Sequence, residues 1–122
     1  MIKLMAFFGA LFGAIGVMMG AFGAHALKDK LSLNFLNAFE IGVRYQLFHA
    51  LALFAAAWLY TQFPHIFLTI AGWLFVTGTF LFSGSLYLLA LTGARSFGAV
   101  TPIGGMLLVL GWIFILIRLC LK

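Results

Sequence analysis

The sequence predicts an all-α protein, a four-helix transmembrane bundle with short loops, and three observations carry that prediction. First, the 122 residues are 66% hydrophobic and 7% charged, with a mean hydropathy of +1.22. Soluble domains are roughly 45–50% apolar and about 25% charged, so no soluble class fits. Second, no Lys, Arg, Asp or Glu occurs in the fifty residues between Arg44 and Arg95. As one helix that run would reach roughly 75 Å against a hydrocarbon core of about 30 Å, so it folds back once, at Gln62-Phe63-Pro64-His65. With the charge-free runs 4–24 and 96–117 this gives spans at about 4–26, 38–60, 65–91 and 102–121, within one integral membrane domain covering 1–122. An even number of spans puts both termini on the same side. Third, the first span carries a regular glycine pattern that only a packed membrane helix can use.

That pattern is Gly9, Gly13, Gly16, Gly20 and Gly23, spaced four, three, four, three, which forms one seam along a helix. In water each glycine would cost about 1 kcal/mol relative to alanine. In a bilayer the helix is enforced, because broken backbone hydrogen bonds have no water to turn to. The seam then lets a second backbone approach, with 9/13 and 16/20 each reading as a GxxxG contact. Lys3 ahead of the run and Ala24-His25-Ala26 behind it also outline a secretory leader. The apolar run of 21 residues is longer than the about 7–15 of a leader's core and carries the seam, so it reads as a retained helix.

Residues 27–37, LKDKLSLNFLN, are the one wet segment, an interfacial connector in which Ser32 is placed to cap the helix that follows. Helix 2 is the most polar of the four. Glu40 and Arg44 lie at i,i+4 with the acid first, the favourable order for an ion pair near the interface. Tyr45 and His49 share a second face and Gln46 lies on a third, while Trp58 and Tyr60 mark the far interface. Pro64 suits the first turn of helix 3. That helix bears a row of small residues at Thr69, Gly72, Thr79 and Ser83, with Gly78, Gly84 and Ser85 nearby, and ends at Thr92-Gly93. Thr101 as N-cap and Pro102 at the first helical position open helix 4, whose face is thinned by Gly104, Gly105 and Gly111. Trp112, Arg118 and Lys122 mark its exit. No segment repeats another, so an inverted-repeat transporter finds no support.

The net charge of +5 comes from residues spread singly at span ends, which meet lipid headgroups and leave no surface for nucleic acid. The basic residues nearly balance between the two sides and so predict neither orientation. Cys120 is the only cysteine, which excludes an intramolecular disulfide.

The polar residues in or beside the spans are the candidate site: His25, Glu40, Arg44, Tyr45, Gln46, His49, Ser83, Ser85, Tyr87 and Thr101. His49 lies roughly 7.5 Å deeper than Arg44. It suits either a proton relay or ligand contact, or a neutral ring bonded to a neighbouring helix. His25 and His49 differ in depth, which argues against haem ligation between them, and no third ligand makes a metal site. No cofactor is expected. Phosphate loops, nucleophile elbows, HExxH and paired carboxylates are absent, Asp29 and Glu40 being the only acids, so the reading is not an enzyme.

The segments Gly20-Ala21-Phe22-Gly23-Ala24-His25-Ala26-Leu27, Arg44-Tyr45-Gln46 with His49-Ala50-Leu51-Ala52-Leu53, Phe82-Ser83-Gly84-Ser85-Leu86-Tyr87, and Thr101-Pro102-Ile103-Gly104-Gly105 resemble the YgdD-type small bacterial membrane proteins. That family is the domain of unknown function four hundred twenty-three. The resemblance runs in order over almost the whole chain. It implies a multi-pass protein of the cell inner membrane without assigned activity, and singles out the same polar residues except Glu40.

Two functions are expected from these readings. One is a structural or interaction bundle that associates with itself as a homo-oligomer or with a larger membrane complex, the lipid bilayer being its constant partner. The other is a small transporter or channel component with a polar path near Arg44, His49 and Ser83. Convergence of those side chains on a wet cleft separates the two.

Overall fold

The computed structural model describes residues 1–122 and is all-helical. Four long helices, α1 (Ile2–His25), α2 (Leu33–Gln62), α3 (Ile66–Thr92) and α4 (Thr101–Cys120), are joined by short connections, the last containing a 3-10 turn at Arg95–Ala99. α1, α3 and the segment Arg95–Cys120 that contains α4 are long and apolar enough to cross a membrane. α2 is the longest and least apolar helix and falls outside that group, because it carries Glu40, Arg44, Gln46 and His49. Four helices are therefore present where four were expected, and three of them meet the requirements of a span by length and composition.

The ends of the helices follow local chemistry. Ser32 caps α2, its Oγ accepting from the Phe35 N–H at 3.4 Å. α3 starts two residues later than Pro64 suggests: His65 is the N-cap, and its Nδ1 accepts from the Phe67 N–H at 3.1 Å. At the other end Gly93 adopts φ +72°, the left-handed conformation that closes a helix C-terminus at no steric cost to glycine. Thr101 is the first residue of α4 instead of its cap, and its hydroxyl goes to another helix.

Each helix packs antiparallel against its neighbour in sequence, α1 on α2, α2 on α3 and α3 on α4. Side chains add the diagonals: Met5 and Phe8 of α1 reach Gly72 and Trp73 of α3, and Trp112 of α4 reaches His49 of α2. The main core gathers Met5, Phe12, Leu53, Ala56, Leu68, Phe75 and Leu108 towards one end of the bundle. A smaller one, Leu27, Phe39, Val43 and Ala90, closes the other. Between them lies a polar layer. Arg118 ties the end of α4 to the α2–α3 turn, its Nε donating to the Phe63 carbonyl at 3.3 Å with its guanidinium 5.6 Å from the Phe63 ring centre.

The glycine seam faces α2. A Cβ added at Gly9, Gly16 or Gly23 would lie 2.7–2.9 Å from Phe54, Leu47 or Phe39. At Gly13 and Gly20 the nearest atoms are 4.0 and 3.3 Å away. The close contact thus repeats every seven residues, at 9, 16 and 23, rather than in GxxxG pairs, and 13 and 20 form the margin.

Candidate functional site

The polar layer is built outward from Gln46, in the middle of α2. Its Nε2 donates to the Phe12 carbonyl of α1 at 2.9 Å, and its Oε1 accepts from the Tyr87 hydroxyl of α3 at 2.7 Å. One side chain therefore joins three helices. Gly16 lies alongside: a Cβ there would crowd Leu47 at 2.7 Å and touch Gln46 Nε2 at 3.5 Å, an ordinary contact. Beside it, the buried Ser83 hydroxyl donates to the Gly42 carbonyl at 2.6 Å. Gly42 is the matching gap: a Cβ there would meet the Tyr87 ring at 2.9 Å.

His49 lies one turn further along α2 and is turned towards α4. Its Nδ1 is 2.8 Å from the Tyr45 carbonyl, and Nε2 is 3.1 Å from the Trp112 indole nitrogen of α4. The carbonyl can only accept and the indole N–H can only donate, so both bonds require a neutral imidazole with its proton on Nδ1. Phe75 packs over the same ring. Both nitrogens are occupied, one by the histidine's own helix and one by an indole of a neighbouring helix. Trp112, expected at the exit of α4, sits near its middle. A third link joins α3 to α4, with Ser85 Oγ and Thr101 Oγ1 2.6 Å apart.

The remaining candidates stand outside this layer. His25 is exposed at the end of α1. Tyr45 is 40% exposed, with its ring against His49 and Phe82. Glu40 and Arg44 are exposed and line a cleft of about 290 Å³ floored by Gly20 and Gly23, yet no ion pair within 4.0 Å forms between them. The expected pair is thus open: exposed side chains one helical turn apart gain little by closing. Arg44, His49 and Ser83 do not share a cavity: Arg44 lines this cleft, His49 bonds to α4, and Ser83 bonds to α2 at the edge of a separate cleft. The polar path expected along them is not assembled.

Gln46, Ser83 and Tyr87 do converge. Together with Thr79, Phe12, Ile15, Phe80 and Gly84 they line a half-open cleft of about 200 Å³ between α1 and α3. The Thr79 hydroxyl is the one buried side-chain polar atom without a hydrogen-bond partner. Two contributors, Thr79 and Trp112, were not in the expected site. A threonine in a small-residue row and a tryptophan in an apolar helix both look like packing, and only the neighbouring helix shows what each faces.

Residues 19–105 match the family described as protein of unknown function (DUF423). The chain is 41% identical over 116 residues to the UPF0382 membrane protein YwdK of Bacillus subtilis (strain 168), covering 94% of each. It is 44% identical over 115 residues to the UPF0382 membrane protein SSP2132 of Staphylococcus saprophyticus, covering 94% of this chain and 95% of that one. A similar protein of Staphylococcus haemolyticus, SH2409, is 44% identical over 115 residues, covering 94% of this chain and 93% of its own. No solved structure matches. A bundle of apolar helices with a polar layer at mid-depth, similar along nearly its whole length to bacterial proteins named as membrane proteins, belongs to the DUF423 family.

Proposed function

We propose that this chain is a non-enzymatic, multi-pass bundle of the bacterial inner membrane that acts through association, with itself or with a larger membrane complex. The observation that carries this reading is the use made of its buried polar side chains. Gln46, Ser83, Ser85 and His49 each bridge two or more helices through neutral hydrogen bonds, which fix register and spacing. Such bonds specify a shape and leave no continuous wet path.

In this reading α2 is the fourth span. Its central position supports that: the buried Gln46 and His49 are satisfied within the bundle, and the exposed Glu40 and Arg44 lie in the first half of the helix, from which long side chains reach towards headgroups. Its 30 residues extend roughly 45 Å, longer than the hydrocarbon core, so its polar start can stand at the interface.

The test is to extract the full chain from its native membrane in mild detergent and determine its mass by native mass spectrometry, in parallel with proton and solute flux measurements in liposomes. The expected result is a discrete complex, of copies or with a second membrane protein, and no flux above empty liposomes. A lone monomer that conducts would overturn the proposal.

A further inference from the structure

Glu40 and Arg44 are exposed on one cleft of about 290 Å³ between α1 and α2, and although they stand at i,i+4 in the order that favours an ion pair, none forms within 4.0 Å. Two opposite charges therefore border the same space, and each is available to a ligand. The Cβ atoms of residues so spaced are about 5–6 Å apart, so one small group can meet both. The rest of the lining is uncharged: Gly20 and Gly23 of α1, with Phe39, Val43 and Leu47 of α2. A lone cation would answer Glu40 only, and a lone phosphate Arg44 only. A molecule that carries both charges answers the pair.

Depth and order narrow the occupant further. Gly23 and Gly20 are two and five residues from the end of α1, so roughly 3 and 8 Å from it. That helix of 24 residues runs roughly 36 Å against a hydrocarbon core of about 30 Å, which puts the cleft at the edge of the core, beside the wet connector. Along α2 from that connector Glu40 comes first, Arg44 lies roughly 6 Å deeper, and Leu47 roughly 4.5 Å deeper again. A zwitterionic phospholipid has the same sequence of groups from water inward: its ammonium, its phosphate, then its acyl chains.

We propose that this cleft binds the headgroup of a membrane phospholipid that bears a primary ammonium beyond its phosphate, the ammonium donating to Glu40 and the phosphate accepting from Arg44. A trimethylated ammonium has no N–H to donate, and a headgroup ending in hydroxyls brings Glu40 no positive charge. The acyl chains continue over Leu47 and the exposed Leu51, which share a stripe of α2 with Arg44. Such a site goes beyond the association proposed above and does not depend on it.

The full chain in detergent is titrated with three phospholipids of identical acyl chains, bearing ethanolamine, choline or glycerol headgroups, and bound lipid is measured by native mass spectrometry. The expected result is one saturable adduct per chain, with the ethanolamine lipid bound about ten-fold tighter than the other two, the worth of one charge-assisted hydrogen bond. Glu40→Gln should erase that preference. Arg44→Gln should weaken all three lipids about ten-fold, since each carries the phosphate. Lys3→Gln removes the same charge at the opposite end of α1 and should change nothing. All three side chains are exposed, so the variants keep the fold. Equal affinity for the three lipids, or an ethanolamine preference that survives Glu40→Gln, overturns the proposal. A loss with Lys3→Gln as large as with Arg44→Gln overturns it too, because the lipid is then held by overall positive charge. Displacement of the lipid by an equal concentration of free phosphoethanolamine would make the ligand a soluble zwitterion and defeat the assignment to a lipid.

Discussion

Two interfaces of this bundle are built on glycine, in different ways. Between α1 and α2 the glycines of the close contact, Gly9, Gly16 and Gly23, are on α1, and the side chains of Phe54, Leu47 and Phe39 fill the gaps. Between α3 and α4 both helices contribute: Gly104 lies against the backbone of Phe82, Gly78 against Leu108 and the Gly104 carbonyl, and Gly111 against the Phe75 ring. In the first interface the neighbours of the missing Cβ atoms are mostly side-chain ends, which can move. At Gly104 the neighbour is main chain, with Phe82 Cα 2.8 Å from where a Cβ would stand. The same residue type thus serves two tasks, receiving side chains in one place and letting two backbones meet in the other.

Substitutions can break or sharpen this contrast. The largest effect is expected from Gly16→Leu, because the new side chain must displace both Leu47 and the Gln46 amide that holds Phe12 and Tyr87. Overpacking of that kind costs more than about 3 kcal/mol, and the amount of monodisperse protein recovered by gel filtration should fall to a small fraction of the parent's. A silent Gly16→Leu would mean that the seam faces lipid.

Gly104→Ala comes next, at about 3 kcal/mol, the upper end for a single added methyl, because main chain cannot step aside. Gly23→Ala, whose neighbours are atoms of the Phe39 ring alone, should cost about half as much in thermal unfolding followed by circular dichroism. Equal midpoints for Gly104→Ala and Gly23→Ala would erase the distinction between the two interfaces. Gln46→Leu keeps the volume but leaves the Tyr87 hydroxyl without its acceptor, and should lower stability by about 1–2 kcal/mol in the same assay. The smallest effect belongs to Gly13→Ala, where a Cβ would find its nearest neighbour at 4.0 Å. Its unfolding midpoint should match the parent's or rise slightly, with helix propensity in its favour.

The contrast also explains what the sequence made legible. The α1 seam shows as a spacing on one helix, so its existence could be read from the chain, while its partner helix and its seven-residue period could not. Gly78, Gly104 and Gly111 form an interface across two helices, and no single-helix period reveals it. Helix positions followed from charge-free runs and turn chemistry, with errors at two starts: α3 begins at Ile66 behind a His65 cap rather than at Pro64, and the Thr101 hydroxyl pairs with Ser85 instead of capping its own helix. Among the polar residues, composition located the candidates but not their grouping. Gln46 and His49 are three positions apart on α2 yet serve different neighbours, and Thr79 could be recognised only once the atoms around it were known to offer it nothing.

The order in which the helices pack has a bearing on how the protein is made. From α2 onward each helix packs on the one before it, so a newly made helix finds a partner already there. Contacts between neighbours in sequence are also the quickest to form. Assembly can thus proceed as a series of hairpin closures during synthesis. The Trp112 bond to His49 and the Arg118 clasp on Phe63 come last, and both are made by the final helix.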